Sequence, residues 1–198
     1  STQAKTLFPY TTLFRSGVEL KILDEQGNEL PQGEVGEIVG RAEMMMKGYY
    51  KQDAKTRELF WYDKDGRLFF KSGDMGRIDE DGFVVLLDRK KDMIISGGFN
   101  VYAADIEVLL LKHPDLVDAA VIGVPSEQWG ESAMALCVRR DGSTLSEEAV
   151  REWANAQLSK TQRLVAVELR DSLPRSTIGK IMKRELRAPY WEGRAVKI

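Results

Sequence analysis

The sequence predicts an α+β fold, with a β-rich part at residues 17–90 followed by a small α+β part at residues 91–187. Before Arg89, short apolar runs alternate with Asp-Gly turns, a pattern typical of β-hairpins. After Gly98, apolar residues recur at helical spacing between further strand-like runs. The chain has 198 residues, of which 43% are hydrophobic, so it can bury a core in one domain or in two small ones.

Four strands are predicted in the first part. They are separated by polar, glycine-containing turns and cover residues 18–23, 35–39, 68–70 and 83–87. The acidic turn Asp79-Glu80-Asp81-Gly82 could suggest calcium, but its glycine comes too early for an EF-hand loop and no bidentate glutamate follows. We interpret it as a hairpin turn.

The second part is predicted to contain three helices and three strands. Apolar residues at helical spacing indicate a helix at residues 104–112. Thr144 and Glu147 predict a capping box for a second helix, and a short basic helix is predicted at residues 181–187. The strands cover residues 117–124, 133–138 and 164–169, and a loop covers residues 173–180.

Composition excludes several classes of protein. The formal net charge is only -2, and the start of the chain does not resemble an export signal. No apolar stretch approaches the roughly 20 residues that cross a bilayer, so we expect a cytoplasmic protein with no transmembrane segment. Cys137, the single cysteine, lies in an apolar run and is expected to be buried. With His113 as the single histidine, a zinc site is not expected.

The start of the chain differs from the rest. Residues 6–16 read TLFPYTTLFRS, which resembles the translation of a sequencing-adapter oligonucleotide. We interpret residues 1–16 as an artefactual leader and expect the genuine reading frame to begin near Gly17. No secondary structure is predicted for the leader.

Three segments combine a glycine turn with ionic side chains. They are FKSGD at residues 70–74, LDRKKDMIISGGFN at residues 87–100 and LPRSTIGKIMKR at residues 173–184. Such a segment places fixed charge beside backbone without a side chain, which suits close approach by a phosphorylated ligand. The third segment is not a P-loop, because Pro174 stands where that motif requires glycine and no Ser or Thr follows Lys180.

In this order the three segments resemble the adenylate-forming superfamily, and most closely its long-chain fatty acyl-CoA ligase branch. The resemblance continues through GEVGEI at residues 33–38 and MKGYY at residues 46–50. It implies that residues 17–90 are the end of a large N-terminal AMP-binding domain whose upstream portion is missing. Residues 91–187 would then be the small α+β C-terminal lid domain, with residues 188–198 as a tail.

The resemblance also implies roles in adenylation. Lys180 would be the catalytic residue that contacts the substrate carboxylate and the α-phosphate of ATP, where a mobile cation neutralises charge as two anions approach. Asp74 would accept hydrogen bonds from both ribose hydroxyls of the nucleotide, and Arg89 would also reach the ribose. Lys91 occupies the hinge position, at which backbone rotation would swing the lid.

For transfer to the thiol, the resemblance implies a second set of residues. Gly97 and Gly98 would let the backbone approach the pantetheine arm of CoA, with Phe99 beside them. Trp129 is interpreted as a packing residue. Ser72 stands where the family usually has threonine, a change that keeps the hydroxyl group.

The implied reaction activates a carboxylic (fatty) acid with ATP and Mg²⁺ to an acyl-adenylate and then transfers the acyl group to CoA. The implied partners are the acid, ATP, CoA and the missing N-terminal domain, and the Mg²⁺ ligands are not expected in this chain. The chain alone is therefore expected to be inactive. The basic stretch at residues 175–187 is interpreted as a solvated helix face, without nucleic-acid binding.

Two other functions stay open at this point. The chain could belong to an adenylation domain that loads a carrier protein, or it could be a non-catalytic module that contacts a nucleotide or CoA. The forms DRKKD at residues 88–92 and FNVY at residues 99–102 favour the acyl-CoA ligase branch. The closing PYWEGR at residues 189–194 is expected to be a natural terminus.

Overall fold

The computed structural model describes residues 17–193, which divide into two compact units, the first ending at Lys90 and the second beginning at Lys91. The interpreted leader at residues 1–16 and residues 194–198 of the expected tail lie outside the described part. The chain combines β-sheets with helices, which confirms the predicted α+β class. Among the described residues, no helix is long and apolar enough to cross a bilayer.

The first unit is built on a five-stranded antiparallel sheet. Its elements are β1 (Glu19–Leu23), β2 (Gly36–Arg41), α1 (Asp53–Leu59), β3 (Phe60–Tyr62), β4 (Leu68–Ile78) and β5 (Val84–Arg89). The long strand β4 pairs with β2, with β3 at its start and with β5 at its end. The sheet buries Leu23, Val39 and Phe69, and Trp61 packs edge-on against Phe69 with ring centroids 5.5 Å apart.

Three tight turns of the first unit, at residues 24–28, 63–67 and 79–83, share one geometry. In each turn the carboxylate of the first residue, an aspartate, accepts a hydrogen bond from the amide of the fifth residue, at 2.7, 2.9 and 2.8 Å. The fourth residue is a glycine with φ between 73° and 83°, a conformation that other residues rarely adopt. The aspartate that begins each turn thus accepts a hydrogen bond from a backbone amide of the same turn.

We expect the first unit to lose stability at low pH through Asp63. Burial acts to raise the pKa of this carboxyl, but hydrogen bonds from the Arg67 amide, the Arg67 guanidinium and the Asp65 amide outweigh burial and lower the pKa to about 2. Because the folded pKa lies below the ordinary 3.8, the stabilisation is complete above pH 3.8 and is lost as the pH falls through about 2.

Acid titration of the chain, followed by circular dichroism, measures this effect. Asp63→Asn should be less stable than the wild type at pH 7 and should approach the wild type near pH 2. Asp65→Asn is the matched control, because its side chain is 59% exposed and lies 3.9 Å from Arg67. Identical acid profiles for the wild type and Asp63→Asn would contradict the assignment.

The second unit contains a five-stranded mixed sheet. Its elements are β6 (Ile94–Ser96), β7 (Phe99–Val101), α2 (Ala103–Leu110), β8 (Leu116–Ser126), β9 (Gly130–Arg139), α3 (Glu147–Asn155), a 3₁₀ helix (Lys160–Gln162), β10 (Leu164–Arg170) and α4 (Lys183–Trp191). Strand β9 pairs antiparallel with β8 and parallel with β10, and it meets the β6–β7 hairpin through Ser96 and Gly130.

Both faces of this sheet are buried, because alternate residues of a strand point to opposite sides. Val121 and Cys137 pack with α2 and α3, whereas Ile122 and Leu136 pack with Leu186 of α4. Cys137 is fully buried, as predicted. Burial, and to a smaller extent the charge of Asp118, raises the pKa of its thiol to about 12, so this cysteine is not a nucleophile at neutral pH.

The predicted capping box of the second helix is wrong. The N-cap residue of α3 is Ser146, whose Oγ accepts a hydrogen bond from the Ala149 amide at 3.2 Å. Glu147 accepts the amide of Leu169 on β10 at 2.9 Å instead of returning to the cap. The local pattern predicted that Glu147 would pair with Thr144. In the structure its carboxylate instead accepts a hydrogen bond from the neighbouring strand.

Helix α4 extends beyond the predicted range of residues 181–187. It runs from Lys183 to Trp191 with Pro189 inside it, although proline removes one helical hydrogen bond. The end of the helix is held by a tertiary contact, since the indole Nε1 of Trp191 donates to the Gly123 carbonyl at 2.9 Å. This contact stabilises the last turn of the helix despite the presence of Pro189.

Candidate functional site

The structure pairs the two predicted nucleotide-binding residues of the first unit. Strand β3 pairs with residues 68–70 of β4, and β5 pairs with residues 74–78. Asp74 therefore lies where β4 meets β5, directly opposite Arg89, and Arg89 Nε is 3.5 Å from Asp74 Oδ1. The two side chains are 36% and 52% exposed, so their ion pair contributes little to stability and both groups are accessible to a ligand.

Backbone geometry and the Ser72 hydroxyl orient Asp74. Gly73 has φ +73°, a turn that precedes Asp74 directly. Ser72 Oγ accepts a hydrogen bond from the Asp74 amide at 3.0 Å and donates to the Ile38 carbonyl on β2 at 2.8 Å. The Ser72 hydroxyl therefore links Asp74 to β2.

Lys90, the last residue of the first unit, is attached to that unit at both its backbone and its side chain. Its amide donates to the Gly73 carbonyl at 2.9 Å, and its ammonium lies 2.7 Å from Glu37 on β2. The Glu37 side chain is only 10% exposed. This anchor was not predicted from the sequence, where Lys90 was only one member of a charged run.

Lys91, the predicted hinge residue, begins the second unit and is held there by α4. Arg187 Nη1 donates to the Lys91 carbonyl at 2.9 Å, and Nη2 lies 4.0 Å from Asp92. The Arg187 side chain is 12% exposed, so this guanidinium is committed to the contact. From its carbonyl onward, the Lys91 backbone is thus fixed to the second unit.

Gly97 and Gly98 form the turn of the β6–β7 hairpin, with φ of 58° and 83°. The Gly97 amide donates to the Trp129 carbonyl at 2.8 Å, and a Cβ on Gly97 would lie 2.6 Å from the Trp129 ring. A Cβ on Gly98 would meet nothing within 4 Å. Trp129 thus packs over Gly97, while Gly98 and Phe99, which is 62% exposed, present an open surface.

A carboxylate supports this hairpin. Glu131 Oε2 accepts a hydrogen bond from the Ile95 amide at 3.2 Å. Burial raises the pKa of Glu131, while that hydrogen bond and the positive charge of Arg187 act to lower it. Glu131 therefore links the hairpin to β9.

Gly97→Ala should destabilise the second unit more than Gly98→Ala. Alanine at either position adopts a left-handed conformation that costs about 1–2 kcal/mol, but only at Gly97 must the Trp129 ring also move. Urea unfolding of the chain, followed by amide signals of the second unit, measures the difference, and the Trp129 indole shift reports the displacement. Equal decreases in stability would contradict the packing described for Gly97.

Lys180 lies at the end of a tight hairpin loop, which we define as residues 174–182 and call the Lys180 loop. The Met182 amide donates to the Pro174 carbonyl at 2.8 Å, and the Ser176 amide donates to the Lys180 carbonyl at 2.8 Å. Gly179 closes the turn with φ +80°. The predicted loop is therefore an ordered hairpin, whose hydrogen bonds define the backbone position of Lys180.

The Lys180 side chain is exposed on this hairpin and has no partner among the described residues of the second unit. The residue is exposed, and within residues 91–193 its ammonium forms no ion pair or side-chain hydrogen bond. An exposed ammonium on an ordered backbone can meet an anion without first breaking an ion pair. The amine is not buried in the core of the second unit.

Two cationic side chains of α4 form contacts within the second unit. Lys183 Nζ lies 2.7 Å from Glu107 on α2, and both side chains are less than 20% exposed. Arg187 holds Lys91. These two residues of the basic stretch at 175–187 therefore act in packing, so the stretch is not a uniformly solvated face.

Among residues 17–193, no group of three or more His, Cys, Asp or Glu side chains could hold a metal ion. The residues present fit a nucleoside better than a metal, because a carboxylate can accept from both ribose hydroxyls and a guanidinium can donate to ring or hydroxyl oxygens. Asp74 and Arg89 are the residues that could hold a nucleoside.

Comparison with known proteins tests the predicted resemblance. Residues 105–180 match the AMP-binding enzyme C-terminal domain. A long-chain-fatty-acid–CoA ligase of Escherichia coli O6:H1 is 38% identical over 187 residues, which cover 90% of this chain and 32% of the relative. A fatty acid–[acyl-carrier-protein] ligase, ScoC of Streptomyces coeruleorubidus, is 39% identical over 182 residues, covering 92% of this chain and 34% of the relative.

The fold comparison agrees. The crystal structure of ATP-bound MatB from Rhodopseudomonas palustris superposes with a TM-score of 0.80 at 41% sequence identity, covering 89% of this chain and 34% of that one. The matched family model and the fold together indicate a C-terminal domain of AMP-binding enzymes. The predicted resemblance to the adenylate-forming superfamily is confirmed over this C-terminal region, and the chain spans about a third of the length of the curated relatives it matches.

Proposed function

We propose that this chain is the C-terminal portion of an ATP-dependent acid–thiol ligase whose acid substrate is a fatty acid and whose thiol substrate is CoA. In the first step a carboxylate oxygen attacks the α-phosphorus of ATP, and pyrophosphate leaves. In the second step the CoA sulfur attacks the acyl carbon, AMP leaves and the thiol proton goes to solvent. Mg²⁺, when bound with ATP, would neutralise phosphate charge.

The observation that carries this proposal is the exposed ammonium of Lys180, which lies on an ordered hairpin and has no ion-pair partner among residues 91–193. Adenylation brings two anions together, the carboxylate and the α-phosphate, so a cation placed between them lowers the barrier. A lysine committed to an internal ion pair, such as Lys183, could not do this. Lys180 is therefore the proposed catalytic residue.

Asp74 and Arg89 are proposed to bind the ribose of the nucleotide. Their side chains lie opposite each other and are partly exposed, so the 3.5 Å contact between them can be exchanged for hydrogen bonds to the hydroxyls. The Ser72 hydroxyl keeps the Asp74 backbone in place during this exchange. Binding would then require side-chain rotation without movement of the strands.

Lys91 is proposed to be the hinge, and two anchors support this assignment. The Lys90 amide is bonded to Gly73 in the first unit, and the Lys91 carbonyl is bonded to Arg187 in the second. The backbone torsions between these anchors belong to Lys90 and Lys91 alone. Rotation there would let the second unit serve adenylation in one pose and thioester formation in another.

Gly97, Gly98 and Phe99 are proposed to contact the pantetheine arm of CoA in the second pose. Gly98 leaves open space above the hairpin, and the exposed Phe99 ring offers an apolar surface beside it. A narrow thiol-bearing arm can approach such backbone closely. Gly97 stabilises the turn through the hydrogen bond from its amide to the Trp129 carbonyl.

A graft tests this proposal. Residues 17–198 would replace the matching C-terminal region of the E. coli relative, giving what we call the grafted enzyme. ATP–pyrophosphate exchange with a fatty acid measures adenylation, and release of AMP from preformed acyl-adenylate plus CoA measures thioester formation. We expect both reactions from the grafted enzyme and neither from the 198-residue chain alone. A folded grafted enzyme without either reaction would contradict the proposal.

A carrier protein is the alternative thiol substrate, favoured by the similarity to the acyl-carrier-protein ligase ScoC. CoA and a holo carrier protein both present a pantetheine thiol, so the Gly97–Gly98 turn would suit either. Comparing kcat/KM of the grafted enzyme for CoA and for holo acyl-carrier protein separates them. We expect CoA to be preferred.

Calorimetry on the 198-residue chain tests the remaining alternative of a binding module. The chain carries only part of the proposed nucleotide site, so weak or no binding of AMP, ATP and CoA is expected. Tight binding of any of the three would favour a binding module.

A further inference from the structure

We propose that Arg175, paired with Asp118, is a positioning residue that holds the Lys180 loop in the orientation needed for adenylation. The inference rests on the proposed function of Lys180. Arg175 would not touch the reacting atoms and would act only through the loop. Its guanidinium would set the direction in which the hairpin presents the Lys180 ammonium.

The Arg175 guanidinium joins the loop to the sheet of the second unit. Its Nη1 donates to the Gly179 carbonyl at 2.6 Å, one residue before Lys180. Its Nη2 lies 2.5 Å from Asp118 Oδ2 on β8. Because the guanidinium is planar and its donors are fixed relative to one another, two simultaneous contacts fix orientation as well as distance.

Asp118 is a firm attachment point. Its backbone pairs with Val138 of β9, and its Oδ1 accepts the Ala119 amide at 3.1 Å. The next residues, Ala119 and Ala120, are buried in the core on opposite faces of the sheet. The carboxylate is 23% exposed. Arg175 therefore ties the loop to the most buried strands of the unit.

The other hydrogen bonds of the loop are local. They join Pro174 to Met182 and Ser176 to Gly179 and Lys180, which defines the shape of the hairpin but not its direction. Within the described chain, the Arg175–Asp118 contact is the one hydrogen bond by which residues 175–180 reach another part of the unit. Removing the Arg175 side chain also removes its contact with the Gly179 carbonyl, so the hairpin should still form but should open more often and be free to change direction.

Stability and activity should respond differently to this change. An exposed ion pair adds little to stability, and the Arg175 side chain is 45% exposed. Misplacing a catalytic group by about 1 Å can cost about 100-fold in rate. We therefore expect Arg175→Ala to fold normally and to lower the kcat of adenylation by roughly 10- to 100-fold.

Amide hydrogen exchange of the 198-residue chain tests the loop directly. Arg175→Ala should speed exchange at the Gly179 and Lys180 amides and leave Val121 in the sheet unchanged. Arg151→Ala is the matched control, because Arg151 also forms an exposed pair, 2.6 Å from Glu148, but on α3. Arg175→Lys should be intermediate, since an ammonium cannot make both contacts in the same geometry. Exchange equal to that of Arg151→Ala would overturn the proposal.

Half-reactions of the grafted enzyme test the catalytic consequence. Arg175→Ala and Asp118→Ala should each slow pyrophosphate exchange with little change in the KM for ATP, and the double variant should be no slower than either single one. Thioester formation from preformed acyl-adenylate should be unaffected. Equal decreases in both half-reactions would indicate a merely structural role and would overturn the proposal.

The same assays separate this inference from the proposed function. If Lys180→Ala abolishes adenylation but Arg175→Ala does not slow it, only the positioning role fails. If Lys180→Ala leaves adenylation intact, or the grafted enzyme is inactive, the proposed function fails instead. In that case the exchange measurement still decides whether Arg175 holds the loop.

Discussion

Replacing Lys180 with alanine is expected to lower the rate of acyl-adenylate formation by about 100- to 1,000-fold in the grafted enzyme, the usual cost of removing one donor that stabilises transition-state charge. The ammonium is exposed and unpaired within residues 91–193, so its removal leaves no buried charge and should not unfold the unit. Pyrophosphate exchange measures the effect, with circular dichroism as the check on folding.

The thioester half-reaction is the internal control for Lys180→Ala. Attack by the CoA thiol on preformed acyl-adenylate does not require a cation between carboxylate and α-phosphate, so this step should be largely unaffected. Lys112→Ala, which removes another exposed lysine of the second unit, should alter neither step. A similar decrease in both half-reactions would contradict the proposed role of Lys180.

Replacing Asp74 with alanine is expected to raise the KM for ATP by about 100-fold. A carboxylate that accepts from two hydroxyls makes two charge-assisted hydrogen bonds of about 1.5–3 kcal/mol each, and partial exposure reduces the net value. Tenfold in affinity corresponds to about 1.4 kcal/mol. The variant should fold, because the substitution removes only an exposed ion pair, in which Asp74 and Arg89 lie 3.5 Å apart.

Steady-state kinetics in ATP measure this prediction, and two variants sharpen it. Asp74→Asn keeps one acceptor oxygen and should fall between the wild type and Asp74→Ala. Asp81→Ala removes an exposed carboxylate from a turn of the same unit and should leave the KM unchanged. An Asp74→Ala enzyme with a normal KM but a lower kcat would argue against ribose binding.

Local patterns predicted the framework well where burial is regular. Strands β8 and β9 alternate between two buried faces, and their apolar runs at residues 117–124 and 133–138 were sufficient to predict them. Helix α1 and strand β3 were missed. Helix α1 has no buried residue, so no apolar period indicates it, and β3 covers only three residues, Phe60–Tyr62.

The contacts that support the site join residues far apart in sequence. Lys90 and Glu37 are separated by 53 positions, Arg175 and Asp118 by 57, and Arg187 and Lys91 by 96. Lys90, Arg175 and Arg187 each looked like an ordinary surface charge in the local segment. No periodicity or motif spacing encodes such pairs, because they form only when separate strands and helices pack.

The amino-acid sequence alone determined the α+β class, the family resemblance and the residue types for the chemistry, because turn glycines, apolar periods and short ionic motifs act within a few residues of chain. Tertiary structure alone decided which charged side chains stay exposed and which form contacts within the second unit. Lys180 is left exposed on its hairpin, whereas Lys183 and Arg187, a few residues later, are paired with α2 and with Lys91. The physical reason is that packing α4 against the sheet brings partners to these side chains that the local sequence does not contain.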